Sequence, residues 1–377
     1  MSAARPQPSP DHALRVVIAG GGTGGHIFPA IAIAQAVRAR EAGAELLFVG
    51  AEGRMEMEKV PAAGYRIVGL PIRGFQRGSI LRNLGLPWRV LRSMMKARRI
   101  VREFKPHVAV GVGGYASGPL LAAAQQMRVR TLIQEQNSFP GKTNIHLARR
   151  ADRICVAYAG MEKYFPAERL LLTGNPVRPE VVRLAGKRPR AIEDLGLQND
   201  RPVVLITGGS LGARGINRGV EAALPMWKEA GLQVLWQTGA PYHPQAVAAV
   251  SQLGYDDCKV MPFIDRMDLA YAAADLVVAR AGAISVSELS LVARPAILVP
   301  LPTAAEDHQT HNARALTDRG AAVLLTDADA PTLLGARVLD LIGDPAARER
   351  LSTAIATMGA TNAADAIAGE VIRLARS

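Results

Sequence analysis

Twice in this chain an unbroken apolar run enters a glycine-rich turn and then a helical pattern. The first is Leu14 to Ala19, followed by Gly20-Gly21-Gly22-Thr23-Gly24-Gly25-His26 and a helix from near Ile27. The second is Pro202 to Thr207, followed by Gly208-Gly209-Ser210-Leu211-Gly212-Ala213-Arg214. Short unbroken apolar runs are the signature of parallel strands buried under helices on both faces. Glycines at the strand's end permit positive φ and close approach of a ligand to the backbone. A chain of 377 residues exceeds what one core usually supports. The restart therefore predicts an α/β protein of two doubly wound parallel-sheet domains, facing each other across a cleft, each half holding one substrate.

Further strands are expected at Glu45 to Val49, Tyr65 to Gly69, His107 to Val110, Val129 to Gln134, Arg153 to Val156 and Leu170 to Leu172. The fourth strand leads into a second glycine loop, Gly111-Val112-Gly113-Gly114-Tyr115-Ala116-Ser117-Gly118-Pro119, and the fifth into Glu135-Gln136-Asn137. The expected organisation is a disordered 1–13, an N-terminal domain 14–175, a Pro- and charge-rich linker 176–201, and a C-terminal domain 202–362. A last helix, 363–377, is long enough to pack back across the N-terminal domain. GGGTGGH departs from the G-x-G-x-x-G of dinucleotide folds, and Val49-Gly50-Ala51-Glu52 is a poor match to their ribose-binding acid. His26 closes the first loop, where an imidazole can take a proton at neutral pH, although a lone histidine is more often a helix-start or packing residue.

In the second half, the strand Leu276 to Ala279 runs into Arg280-Ala281-Gly282-Ala283 and a helix. Small side chains and free N–H groups there favour an anion such as a phosphate. Glu288, one to two turns on, can accept from vicinal hydroxyls such as those of a ribose. After the strand Pro295 to Val299 comes a second polar cluster, Glu306, Asp307, His308 and Gln309. The same features also suit a solvated helix face and an ordinary helix start.

The net charge of +12 calls for an acidic partner. Between Ile72 and Lys105 ten basic residues stand against one acid, Glu103, and are interleaved with Phe75, Ile80, Leu84, Leu86, Trp88, Leu91, Met94 and Met95. That pattern suits the surface of an anionic membrane; the alternative is that the apolar residues pack the helix on its own sheet. No nucleic-acid reading module accompanies the charge. Cys155 and Cys258 lie far apart without metal-ligand spacing and read as buried apolar residues of a reducing compartment. With no apolar signal core and no run of bilayer length, the chain is expected to be cytoplasmic and not to cross a membrane.

Eight ordered motifs then resemble those of the bacterial peptidoglycan N-acetylglucosaminyltransferases that convert lipid I to lipid II. They are GGTGGHIFPA (Gly21 to Ala30), GVGGYASGP (Gly111 to Pro119), EQN (Glu135 to Asn137), GNPVR (Gly174 to Arg178), GGSLGAR (Gly208 to Arg214), FID with Met267, RAGAISVSE (Arg280 to Glu288) and DHQ with Asn312-Ala313. The resemblance implies the GT-B fold of two Rossmann-like domains, an N-terminal one for acceptor and membrane and a C-terminal one for the donor. It implies inverting transfer from UDP-N-acetylglucosamine to the C4 hydroxyl of the muramoyl sugar on undecaprenyl diphosphate, with no cofactor and no metal. Carried over by motif, the donor contacts are Thr23, Gly24, Gly25, Asn137, Arg178, Ser210, Ile264, Ala283, Ile284, Ser285, Val286, Ser287, Glu288 and Gln309. Ile264 would meet the uracil through its backbone, Glu288 the ribose, Ser210 and the Ala283 turn the diphosphate, and Gln309 the sugar. Gly21, Gly22, Gly113, Gly114 and Tyr115 fall to the lipid diphosphate, with His26 or Glu135 as general base. Ile80, Leu84, Leu86, Trp88, Arg89 and Arg92 become the membrane patch of a peripheral protein on the cytoplasmic face of the inner membrane.

Two positions depart from the family pattern: Gln134 stands where His is usual before EQN, and Arg266 replaces an acid common after FID. A UDP-N-acetylglucosamine 2-epimerase would share fold and donor, but it needs neither the basic apolar segment nor two N-terminal glycine loops. A non-enzymatic membrane or nucleic-acid binder would explain the charge and not the loops.

Overall fold

The computed structural model describes residues 13–73, 85–209 and 211–377. Four residues singled out above, Phe75, Ile80, Leu84 and Ser210, lie outside the described residues, as do the first twelve. The chain divides into two compact units, residues 1–178 with 362–377, and residues 179–361.

The first unit is built on seven parallel strands: β1 (Arg15–Ala19), β2 (Glu45–Ala51), β3 (Arg66–Leu70), β4 (Val108–Gly111), β5 (Arg130–Glu135), β6 (Arg153–Val156) and β7 (Leu170–Leu172), in the order β3-β2-β1-β4-β5-β6-β7. Alternate residues of β1 serve opposite faces, as the pleat dictates. Val16 and Ile18 pack with Ile27, Ile33 and Val37 of the helix Gly24–Arg40 and with Ile367, Val371 and Leu374 of the final helix Ala363–Arg376. Val17 and Ala19 pack on the other face with Ala97 and Val101 of the helix Leu86–Phe104 and with Leu120 and Leu121 of the helix Ser117–Gln126. A sheet covered on both sides explains why its strands carry no polar alternation.

The second unit has six parallel strands: β8 (Val203–Thr207), β9 (Gln233–Gln237), β10 (Cys258–Met261), β11 (Leu276–Ala279), β12 (Ala296–Leu298) and β13 (Val323–Leu324), in the order β10-β9-β8-β11-β12-β13. Val204 and Ile206 of β8 pack with Ile216, Val220 and Trp227 of the helix Arg214–Glu229 and with Leu334 and Val338 of the helix Ala330–Gly343. Residues 176–201 include two short helices, Pro179–Val182 and Arg188–Asp194. Lys187 Nζ donates to Asp268 Oδ2 at 2.7 Å, and Arg188 donates to the Ala273 carbonyl at 2.7 Å and pairs with Asp275 at 3.2 Å. These ties hold the stretch to the second unit.

Each sheet reverses its winding once, between β1 and β4 and between β8 and β11. Loops leaving the carboxyl ends at such a reversal run to opposite sides and leave a crevice between them. The register Ala19↔Gly111 brings the first two glycine loops side by side, and Thr207↔Ala279 does the same for the loops after β8 and β11.

Candidate functional site

In the first unit the helix expected near Ile27 begins three residues earlier, at Gly24, with Thr23 in extended conformation (φ −147°) as its cap. Gly24, Gly25 and His26 therefore form its first turn, where backbone N–H groups lack intrahelical partners. His26 is half-buried, and its Nδ1 lies 3.1 Å from Gly21 O and 3.3 Å from Thr23 Oγ1. A carbonyl can only accept, so Nδ1 carries the proton and the ring's basic lone pair is on Nε2. The second loop lies against this ring: a Cβ on Gly113 (φ +98°) would fall 2.7 Å from Nε2. Gly114 (φ +84°) packs so closely on the first loop that its Cβ would sit 2.2 Å from Gly21 O. Both positions thus require glycine for conformation and for space. Tyr115 is exposed beside Gly22, with the Arg54 guanidinium 6.0 Å from its ring centroid.

Glu135, the second candidate base, is 2% exposed. Its Oε1 accepts from Asn137 N (3.0 Å) and Asn137 Nδ2 (3.1 Å), and its Oε2 from Asn144 Nδ2 (2.7 Å). Burial pushes its carboxyl above the ordinary range, against the pull of those donors. A carboxylate below the surface with both oxygens engaged fixes Asn137 and the following helix. Gln134, at one of the departures from the family pattern, is fully buried in a chain of amides. It donates to Asn175 Oδ1 at 2.9 Å and accepts from Gln136 Nε2, while Asn175 Nδ2 donates to Gln136 O at 3.0 Å. That network ties the GNPVR stretch to the end of β5. Arg178, at the end of that stretch, stacks over Phe28 with its guanidinium 4.5 Å from the ring centroid.

The helix Leu86–Phe104 divides its side chains. Ser93, Ala97, Ile100 and Val101 are buried, whereas Trp88 is 62% exposed and Val90, Leu91 and Met95 are exposed beside Arg89 and Arg92. Leu86 is half-buried. Packing on its own sheet therefore accounts for the inner stripe and not for the Trp88 face. Among the described residues no helix is long and apolar enough to cross a membrane.

In the second unit, Gly209 (φ +79°) and Gly212 (φ +76°) shape the loop after β8, and Gln237 Nε2 donates to Gly209 O at 2.8 Å. The same Gln237 accepts, through Oε1, from Ile264 N at 3.3 Å. Ile264 is buried, and that bond engages its N–H. The helix Ala283–Val292 starts at Gly282 with no side-chain cap and no acid in its first turn, which leaves its N-terminal N–H groups and dipole to an anion. Ser287 Oγ donates back to Ala283 O, Val286 is buried, and Ile284 and Ser285 are half-buried on the first turn. Glu288 is half-buried and its Oε2 accepts from the hydroxyl of Tyr271, itself 1% exposed, at 3.0 Å. Arg280 turns away from the turn it begins: it donates to the carbonyls of Val299 and Pro300 and pairs with Asp327 at 2.6 Å. Glu306 and Asp307 both adopt left-handed backbone (φ +54° and +53°), uncommon for non-glycine residues, and Gln309 Oε1 accepts from Leu301 N at 2.9 Å. Arg266, the other departure, forks onto Asp268 with two 2.9 Å hydrogen bonds. With Lys187 it holds the Asp268 carboxyl well below its usual range.

Two residues that reasoning from sequence missed are central to this geometry, Glu56 beneath the first loop and Tyr271 beneath Glu288. Among the described residues no group of three or more His, Cys, Asp or Glu could hold a metal ion.

Two doubly wound parallel sheets, each with glycine-rich loops at its reversal, define a two-domain α/β class of protein. Residues 16–156 match the glycosyltransferase family 28 N-terminal domain and residues 203–367 its C-terminal domain; the chain belongs to glycosyltransferase family 28. Among its relatives is the UDP-N-acetylglucosamine–N-acetylmuramyl-(pentapeptide) pyrophosphoryl-undecaprenol N-acetylglucosamine transferase of Porphyromonas gingivalis, 52% identical over 96% of each chain. The solved structure of MurG from Acinetobacter baumannii has a TM-score of 0.76 and 29% identity, covering 96% of this chain and 99% of that one. A UDP-N-acetylglucosamine 2-epimerase from Listeria monocytogenes (TM-score 0.68, 15% identity, 96% of each chain) shares the fold alone.

Proposed function

We infer that the chain is an inverting glycosyltransferase that moves N-acetylglucosamine from UDP-N-acetylglucosamine to the C4 hydroxyl of the muramoyl sugar of lipid I, forming lipid II for peptidoglycan. The relationship over 96% of both chains to an enzyme of that name carries the reading. In the transfer the hydroxyl oxygen bonds to C1 of the sugar, its proton passes to a base, and the C1–O bond to UDP breaks with the electron pair leaving on UDP. His26 Nε2 is the base, because Nδ1 is the protonated nitrogen and the ring stands at the loops that take the acceptor's diphosphate, Gly21, Gly22, Gly113, Gly114 and Tyr115. In the second unit Glu288 takes the ribose hydroxyls, the Ile264 carbonyl meets the uracil, and the uncapped turn Ala283 to Ser285 receives the diphosphate. Charge developing on the departing UDP is stabilised there by preorganised N–H dipoles. Gln309, whose carbonyl oxygen is occupied, offers its amide N–H groups to the sugar. The Trp88 face docks on anionic lipid at the cytoplasmic surface, which keeps the enzyme beside its membrane-bound acceptor.

The test follows UDP-N-acetylglucosamine by NMR with and without a short-chain lipid I analogue. Donor consumption that requires the analogue and yields a β-linked disaccharide is expected. Conversion to the 2-epimer without acceptor would replace this reading by the epimerase one.

A further inference from the structure

Glu56 opens the short helix Glu56–Ala62 and is 0% exposed. Its Oε1 accepts from Ala51 N at 3.0 Å and its Oε2 from Gly22 N at 2.9 Å. The Gly21–Gly22 peptide therefore donates to a carboxylate through its N–H, while its C=O accepts from His26 Nδ1 at 3.1 Å. The surrounding backbone is cut to fit that carboxylate. A Cβ on Gly21 would lie 2.2 Å from Glu56 Oε1, and one on Gly50 would lie 2.6 Å from its Cγ. A carboxylate is costly to bury, and this one has backbone donors in place of a cation.

We propose that Glu56 is a positioning residue for the transfer: acting through the Gly21–Gly22 peptide, its charge polarises the carbonyl that holds His26 Nδ1, fixing the ring's tautomer and raising the basicity of Nε2. Hydrogen bonds in series strengthen one another, so the peptide transmits the carboxylate's pull to the imidazole. The arrangement extends by one amide the role of a carboxylate that hydrogen-bonds directly to a catalytic histidine. The Thr23 hydroxyl also lies 3.3 Å from Nδ1; nearby, Arg54 stacks over Tyr115 of the second loop and Arg178 over Phe28 of the helix that carries His26. Glu56 reaches the ring through the hydrogen-bonded Gly21–Gly22 peptide. The proposal rests on His26 as the base.

The test uses the full chain, Glu56→Gln and His26→Ala. Nitrogen-15 NMR of the histidines, with His26 identified from the spectrum of His26→Ala, gives its tautomer and pKa; the pH dependence of kcat gives the same ionisation in turnover. Glu56→Gln keeps the shape and removes the charge. Its His26 pKa and the acid limb of kcat are expected to move down by about one pH unit, with kcat reduced and UDP affinity unchanged. A folded Glu56→Gln with both curves unmoved overturns the proposal. Should that variant not fold, the wild-type ring decides, since an Nε2–H tautomer contradicts the relay and an Nδ1–H tautomer supports it. Full transfer by His26→Ala would remove the base reading instead, and the NMR titration of Glu56→Gln would still judge the relay.

Discussion

Replacing Tyr271 by Phe removes the hydroxyl that holds Glu288 and, with Glu288 proposed to take the ribose, is expected to loosen the nucleotide without touching the chemistry. The hydroxyl donates to Glu288 Oε2 at 3.0 Å from a ring that is 1% exposed, so the carboxylate is held from a rigid support. A hydrogen bond to a charged group contributes roughly 1.5–3 kcal/mol when fully desolvated. Glu288 is half-buried, so water recovers part of this and about 1 kcal/mol of lost orientation is the expected net effect, roughly fivefold in affinity. Calorimetric titration with UDP reads it directly: Kd and donor KM rise about fivefold, while kcat and acceptor KM stay level, the pattern of a lost uniform binding contact. The cycle with Glu288→Ala isolates the pair, because no side-chain acceptor then remains at 288 for the Tyr271 hydroxyl. Equal UDP affinity in wild type and Tyr271→Phe, or effects that simply add in the double variant, would refute the reasoning.

Gly114→Ala forces a left-handed residue against Gly21 O and is expected to cost about 1–3 kcal/mol in urea unfolding while abolishing transfer and leaving UDP binding intact. Trp88→Ser with Leu91→Ser removes exposed apolar area and is expected to release the protein from anionic vesicles in a sedimentation assay, with activity on a soluble acceptor analogue retained. Asp268→Asn leaves Lys187 and Arg266 without their shared carboxylate and is expected to destabilise the second unit by about 1–3 kcal/mol at neutral pH. Because the folded carboxyl is held below its unfolded value, that stabilisation is complete above about pH 4 and fades as pH falls towards the depressed value. Denaturation curves of the two proteins should therefore converge in acid.

Much of the frame was legible because its signals are local. The strands at Arg153–Val156, Leu170–Leu172 and Leu276–Ala279 have the bounds expected from their apolar runs, and each glycine loop follows a strand. What the sequence hid depends on partners far along the chain. The helix Arg188–Asp194 carries little apolar pattern of its own and is held by Asp268 and Asp275, more than eighty positions away. Glu56 reads as an ordinary charged helix start until β1 and β2 lie side by side and bring Gly22 N to its carboxylate. Gln134 departs from the family pattern, and the fold shows an amide that completes a buried network with Asn175 and Gln136. The basic apolar segment around Trp88 could be named from its charge, but which apolar residues turn inward was settled by the packing of Ala97, Ile100 and Val101.

The most direct measurement is transfer of radiolabelled N-acetylglucosamine from its UDP donor to a short-chain lipid I analogue, run beside His26→Ala with UDP binding measured on both proteins. Label in the lipid product with wild type, and its loss in a variant that still binds UDP, is the predicted result. An unlabelled lipid with wild type, or undiminished labelling with His26→Ala, would contradict the account.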